Sequence, residues 1–360
     1  MRSPPKEVLA TWPKPNYVDP ETRGPALVIV EITALTLSSI ILGMRMYTRA
    51  YVTRNLGWDD WVMVAGAMFG VGVTVCVVMA ATKYGWDLHI WDLTTARLIT
   101  SRQVSFAGQS LYCLSTALIR TSIFGSYLRL APRGTWFRHL AWAGLTASAL
   151  TGFAFTIALY AQCRPFSSYW DLKRYFHDCY NEAPMLMSYS VLTAILDFWA
   201  WVLPLPTLVR TTLPLSQRLA LVTLFSFGLV VVVASCIRIW WVHYVLEQTY
   251  DVTWYGWELW IWTAVEVQLG LICGCVPWLK SLFRLWRTGQ TVASGASGGA
   301  RSEAMPGGTG NSKRVTAVRM DSLGKAWTAE GPGKGEYIDL ERSSAGGDSQ
   351  AELSKPSGWN

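Results

Sequence analysis

The sequence predicts an all-α protein: a seven-transmembrane helix bundle followed by a disordered cytoplasmic C-terminal tail. Three observations lead there. Hydrophobic residues fill 51% of the 360 positions and charged residues only 15%, against about 25% charged in a typical soluble domain. Aromatic residues reach 13%, with 20 Trp among them. The last stretch of about seventy residues is polar, yet mean hydropathy over the whole chain is positive, so the remainder is strongly apolar. This composition excludes an ordinary soluble enzyme and a nucleic-acid-binding domain. It also excludes a disordered or disulfide-dense secreted chain.

A helix needs about 20 apolar residues to cross a bilayer, and seven segments qualify. The first, Pro25–Met44, contains a single acid, Glu31. The second, Trp61–Thr82, and the fourth, Leu140–Gln162, contain no charge. The third, Ser101–Leu128, is the least apolar and carries Arg120 in its lower half. The fifth, Ala183–Val209, holds Asp197, the sixth, Leu219–Leu246, holds Arg238, and the seventh, Leu259–Leu279, holds Glu266. The chain therefore divides into an extracellular N-terminal tail (1–24), a membrane domain (25–287) and a cytoplasmic tail (288–360). The first 24 residues contain no signal-peptide h-region, so the first span is expected to act as its own insertion signal. Pro204, Pro206 and Pro277 fall near the ends of spans five and seven. Proline kinks or ends a helix, and an end is the favoured reading here.

Orientation follows from the basic residues. The loops and helix ends on the tail side hold eleven, Arg45, Arg49 and Arg129 among them, against six in the three loops of the other side. This places the N-terminus outside and the C-terminus in the cytoplasm, with the plasma membrane as the expected location. From Thr291 onward eight Lys/Arg balance eight Asp/Glu, so the net charge of +7 belongs to the membrane part and does not indicate nucleic acid. Ten of the Trp lie near span ends, as an interfacial aromatic belt requires.

Of seven cysteines, five fall within spans and read as small apolar packing residues. Cys163 and Cys179 share the loop between spans four and five, on the side expected to be oxidising. A disulfide there constrains the loop by about 3 kcal/mol in the chain-entropy picture; two free thiols are the alternative.

Ionisable residues at membrane depth cost at least about 2.5 kcal/mol each, and usually face the bundle interior and pair. Arg120, Asp197, Arg238 and Glu266 lie near the centre of their spans, and two acids with two bases suit an interior network. Such a network serves a ligand pocket, a switch or an ion path, or it is a structural salt bridge that orders the helices. The outer segment Tyr84–Asp92 gathers Trp86, Asp87, His89, Trp91 and Asp92. It reads either as a cluster closing over an outer cavity or as a rigid interfacial loop, the second being favoured.

Several chemistries are unsupported. All nine lysines lie outside the spans, so no Schiff-base lysine of the retinal kind is available and no cofactor is expected. The four histidines show no HExxH spacing, and neither GxSxG nor a P-loop occurs. No catalytic or metal-binding residues are assigned, and the chain is not expected to be an enzyme.

The ordered pieces Gly57-Trp-Asp-Asp-Trp61, Tyr84-Gly-Trp-Asp-Leu-His-Ile-Trp-Asp92, Ile119-Arg-Thr-Ser-Ile-Phe-Gly-Ser-Tyr-Leu-Arg129, Cys163-Arg-Pro with Tyr169-Trp-Asp171 and Cys179, Asp197 with Leu203-Pro-Leu-Pro206, Phe227-Gly228 with Ser235 and Arg238, and Glu266 with Pro277 form a pattern. It resembles the fungal rhodopsin-domain integral membrane proteins over roughly residues 25–287. That family comprises seven-helix proteins of filamentous fungi, among them receptor-like surface sensors and membrane proteins of mycotoxin gene clusters such as that for satratoxin. Two departures stand out: Arg120 sits where the family usually has Lys, and Trp86 where it usually has Gly. No cysteine-rich segment precedes the first span.

The resemblance implies a receptor-like sensor linked to a secondary-metabolite pathway. Its partners are then the lipid bilayer, an apolar small-molecule ligand and a cytoplasmic G protein. The tail strings Lys313-Arg-Val-Thr316 and Arg319-Met-Asp-Ser322 have the form of basic-directed kinase substrates. The alternative is a transporter or accessory membrane protein of a small-molecule biosynthetic pathway.

Overall fold

A computed structural model describes residues 5–132, 134–170, 178–206 and 215–288, excepting the side chains of residues 6, 130, 178, 215–224 and 277–288. The tail beyond Thr288, with its kinase-type strings, lies outside the described residues.

After a short N-terminal helix, α1 (Lys6–Thr11), seven long helices follow. They are α2 (Ala26–Tyr47), α3 (Trp58–Lys83), α4 (Thr95–Leu130), α5 (Trp136–Ala161), α6 (Glu182–Val202), α7 (Leu215–His243) and α8 (Val252–Thr288). A wider π turn extends α2 to Val52 and α7 to Gln248. Two short strands, β1 (Cys163–Arg164) and β2 (Asp178–Cys179), pair antiparallel in the α5–α6 loop. Six of the seven long helices are apolar enough to cross a membrane; α4 is not.

The exception explains the architecture. α4 packs against α3, α5, α6 and α8, and so occupies the middle of the bundle. Its polar side chains Ser101, Ser110, Ser115, Thr116, Arg120, Ser122 and Ser126 are all buried. The outer faces of its neighbours are instead apolar and exposed: Ile29, Ile32, Leu37 and Ile40 on α2, Leu150, Phe153 and Ile157 on α5, Leu229, Val230 and Val233 on α7. That inside-out distribution is stable in hydrocarbon and costly in water. The chain is a multi-pass membrane protein.

Element ends follow local chemistry. α8 begins at Val252, seven positions before Leu259, because Asp251 caps it: its carboxylate accepts from the backbone of Trp254 at 3.5 Å and of Ile90 at 3.0 Å. α6 ends at Val202 rather than near Val209. Pro204 has no N–H to offer the carbonyl of Ala200, and the Tyr127 hydroxyl donates to that carbonyl instead, at 3.1 Å. Pro277 ends nothing, since the backbone of α8 continues helically to Thr288.

The face that α2 turns inward is mostly polar. Glu31, Ser38 and Arg45 recur every seven residues, and all three are buried. Each finds a partner on another helix: Glu31 accepts from Thr74 at 2.7 Å, Ser38 donates to Gln268 at 2.5 Å, and Arg45 donates to the Gly274 carbonyl at 2.7 Å.

Candidate functional site

The four charges expected to form an interior network meet in the middle of the bundle. Arg120 on α4 lies along the Asp197 carboxylate of α6, with Nε donating at 2.6 Å and Nη2 at 2.8 Å. The same Nη2 reaches Glu266 on α8 at 2.9 Å. Arg238 on α7 donates from Nε to the other Glu266 oxygen at 2.5 Å, from Nη1 to Ser190 at 3.1 Å and from Nη2 to Thr193 at 2.8 Å. Tyr112 donates to Glu266 at 2.8 Å, and Ser235 to Asp197 at 2.8 Å. The Arg238 guanidinium also lies 5.0 Å from the centre of the Tyr112 ring, within cation–π range. Two cations and two anions cancel, and the hydrogen bonds offset much of the desolvation penalty that burying them incurs. The network links α4, α6, α7 and α8 at one level.

A cavity lies on each side of it. Towards the disulfide-bearing end, a space of about 890 Å³ counting its mouth is walled by residues that include Trp86, Gln109, Tyr112, Leu186, Tyr189, Arg238, Val242 and Trp260. Across the network, a space of about 700 Å³ counting its mouth is walled by residues that include Arg120, Tyr127, Asp197, Trp201, Val231, Glu266 and Gly270. Arg238 faces the first cavity; Arg120, Asp197 and Glu266 face the second.

The outer cluster is gathered as well, and mostly tied down. Trp86 packs into the core edge-on to Trp260, with ring centres 6.0 Å apart, and alone of the five lines the cavity. Gly256 makes this possible, because a Cβ there collides with the Trp86 ring. His89 stacks between Trp91 (4.4 Å) and Trp254 (3.8 Å), and its Nδ1 lies 2.5 Å from Asp251. Asp92 accepts from the backbone of Asn16 at 2.8 Å, and the Asp87 carbonyl accepts from Arg23 at 3.1 Å. Half-burial pushes the Asp87 carboxyl above its ordinary value. Arg23 lies 4.8 Å from the Trp254 ring centre and bonds Glu258 at 3.2 Å. The N-terminal segment is thereby strapped across this end.

Cys163 and Cys179 are joined as a disulfide, opposite one another across β1 and β2. Phe166–Tyr169 follows the first cysteine as a single turn. There Tyr169 lines the cavity and donates to Glu182 at 3.4 Å. Burial first, and then the Glu182 carboxylate, raises the Tyr169 phenol above its usual range.

A second ionic cluster, at the opposite end of the bundle, escapes sequence reasoning. Arg45 donates to Asp60 at 3.0 and 2.9 Å and to Asp59 at 3.3 Å. Arg49 reaches Asp59 at 2.8 Å, and Arg129 reaches it at 3.0 Å. Ser126 donates to Asp59 at 3.0 Å, and Asp60 accepts from the backbone of Gly57 at 3.0 Å to cap α3. Arg45, Arg49, Asp59 and Asp60 are wholly buried or nearly so. A Cβ at Gly57 collides with the Arg129 guanidinium, so glycine leaves the approach open. The available signal was an acid pair opening one span just after two arginines, four positions apart, closing the span before it. Glu31 differs from the other acids buried in the bundle, since among the described residues it has no cationic partner.

A seven-helix membrane bundle with a neutral charge network between two cavities is the class that this geometry defines. Residues 44–285 match the fungal rhodopsin domain, and the chain belongs to that family. It is 19% identical over 75% of its length to fugralins biosynthesis cluster protein 2 of Gibberella zeae, of which 68% is covered. It is 23% identical over 73% of its length to receptor GIN3 of Arthrobotrys oligospora, of which 64% is covered. It is 23% identical over 67% of its length to wortmanamides biosynthesis cluster protein C of Talaromyces wortmannii, of which 66% is covered. The chain thus spans about two thirds of the length of these relatives, and slightly less for the last two. No solved structure matches.

Proposed function

We propose that the protein is a receptor-like sensor for an apolar small molecule, associated with a secondary-metabolite pathway, and that the ligand enters the cavity at the disulfide-bearing end. One observation carries the reading: the inner wall of that cavity is the charge network itself, through Arg238, Tyr112 and Ser190. A ligand pressing on these groups acts at once on four helices. A ligand shifts an equilibrium only through its different affinity for two states, and in this reading the two states differ in how the ion pairs of the network are made.

In this reading the disulfide end faces outward, where the oxidising environment suits Cys163–Cys179. The opposite end faces the cytoplasm, where a G protein is the partner, and the plasma membrane is the location. No retinal-type chromophore and no catalysis are involved. The name of one relative, a receptor, supports sensing, while two carry the names of biosynthesis clusters. The second cavity favours one alternative, a transporter or accessory protein that moves a pathway product past the network.

The test uses a deletion strain carrying Leu186→Trp, which fills the outer cavity without touching the charges. The sensor reading expects a normally abundant protein, an unchanged intracellular metabolite profile and a lost transcriptional or growth response. Accumulation of a pathway product inside the cells supports the transport alternative instead. Full wild-type behaviour removes the cavity from either role.

A further inference from the structure

We propose that the cavity on the far side of the network is a second small-molecule site, and that it takes a neutral, largely apolar molecule through a carbonyl oxygen. This goes beyond the sensor reading and does not depend on it.

Arg120 carries the argument. Its guanidinium has five N–H donors in a fixed fork. Nε and Nη2 are spent on Asp197 and Glu266, whereas Nη1 bonds to nothing among the described residues. The side chain is only 4% exposed, yet it lines the cavity. Nη1 is not sealed from open space, so it can donate to an acceptor that enters there. The hydroxyl and indole donors of the lining are occupied: Thr116 donates to the Tyr112 carbonyl at 2.9 Å, Tyr127 to the Ala200 carbonyl at 3.1 Å, and Trp201 to the Phe225 carbonyl at 3.1 Å.

Charge selects among acceptors. Asp197 and Glu266 border this space already paired with Arg120 and Arg238, so the network is neutral and neither a carboxylate nor a cation finds an uncancelled counter-charge there. A neutral oxygen is left, and the walls of Ile119, Tyr127, Trp201 and Val231 require the rest of the molecule to be apolar. The space is half-open at its mouth and is walled mainly by apolar side chains, as ligand sites generally are. Gly270 leaves part of that volume open, since a Cβ added there has only Ile119 within contact, at 3.9 Å.

Benzophenone is a suitable probe, being a neutral apolar ketone that cross-links to adjacent C–H bonds under near-ultraviolet light. Full-length protein in lipid nanodiscs is irradiated with it, and adducts are mapped by peptide mass spectrometry. The expected adducts fall on the segments around Val231 and Gly270–Cys273, saturate, and disappear with excess fluorenone. Gly270→Leu, which fills the cavity and spares every charge, is expected to reduce them about tenfold. Arg120→Lys keeps the charge but loses the fork, and is expected to reduce them as well. Leu186→Trp, in the other cavity, leaves them unchanged. The anionic analogue 4-benzoylbenzoate labels these segments more weakly. Labelling there that resists fluorenone, or that 4-benzoylbenzoate matches, overturns the proposal. Labelling untouched by a folded Gly270→Leu protein does the same. Should that variant not fold, the fluorenone and 4-benzoylbenzoate comparisons decide alone.

Discussion

Arg238 shows what a single buried charge controls here. It holds α8 through Glu266 and α6 through Ser190 and Thr193, with all three of its nitrogens engaged. Removing one member of a buried ion pair typically costs about 3–5 kcal/mol, because the partner stays charged and unpaired. Arg238→Gln leaves Glu266 with Arg120 and Tyr112 alone, and is expected to lose up to that much in unfolding experiments in detergent. Replacing both members of a pair is cheaper, so Arg120→Met combined with Asp197→Leu should cost less than either change alone. Equal or additive losses in the double variant refute the pairing. Asp87 gives a test with the opposite sign. Its carboxyl is raised by burial, so the folded state holds the proton more tightly than the unfolded chain does. Stability at this site is then fully present at low pH and falls as pH rises from the unfolded carboxylate range, about 3.9, through the raised folded value. Asp87→Asn should raise the melting temperature at neutral pH and flatten its pH profile over that interval.

Among the elements, the end of α6 is the clearest case of one residue answering another. Pro204 leaves the Ala200 carbonyl without its helical donor, and Tyr127 on α4 supplies one. Tyr127→Phe is expected to cost about 1–3 kcal/mol, the penalty of a buried orphan acceptor. In a Pro204→Ala background, where the backbone can close its own bond, the loss should shrink. A cycle of four melting curves measures the difference, and an unchanged loss rules out the exchange. The elements were legible in the sequence to different degrees. The stretches Trp61–Thr82 of α3 and Leu140–Ala161 of α5 show as uncharged apolar runs, since a lipid-facing helix writes its environment into its composition. α4 was marginal for the converse reason: its neighbours, not lipid, surround it. The start of α8 was misplaced because Trp254, Trp257 and Glu258 resemble an interfacial loop, while the cap that begins the helix, Asp251, is held from the distant Ile90 backbone. The four network charges stood out one by one as costs in apolar runs. Their pairing did not, since Arg120 and Glu266 are 146 positions apart and no spacing rule reaches that far.

Across the whole molecule, two ionic layers stand at different depths, and α4 and α8 run through both. The central layer is neutral, whereas the end layer sets three arginines against two aspartates. Its members differ in exposure, and that ranks their importance. The Arg45 side chain is fully buried, while that of Arg129 is 27% exposed. Arg45→Ala should cost about 3–5 kcal/mol, and Arg129→Ala about 1 kcal/mol or less, because water screens the partly exposed pair. Denaturation of the two variants side by side checks the order, and a reversed order shows that the layer is organised around its rim. The sequence announced these residues but hid their depth, since arginines at span ends ordinarily sit in loops.

The polarity of α4 has a consequence for how the chain is made. A helix that lipid does not favour cannot settle in the bilayer on its own as it leaves the ribosome. It must wait for a companion, and its neighbours in sequence, α3 and α5, are also its neighbours in space. Threading is then a joint act of three helices rather than seven separate ones. A substitution on the α4-facing side of α3 or α5 can leave α4 stranded in water, and every later helix inverted, although the altered residue lies far from any charge or cavity.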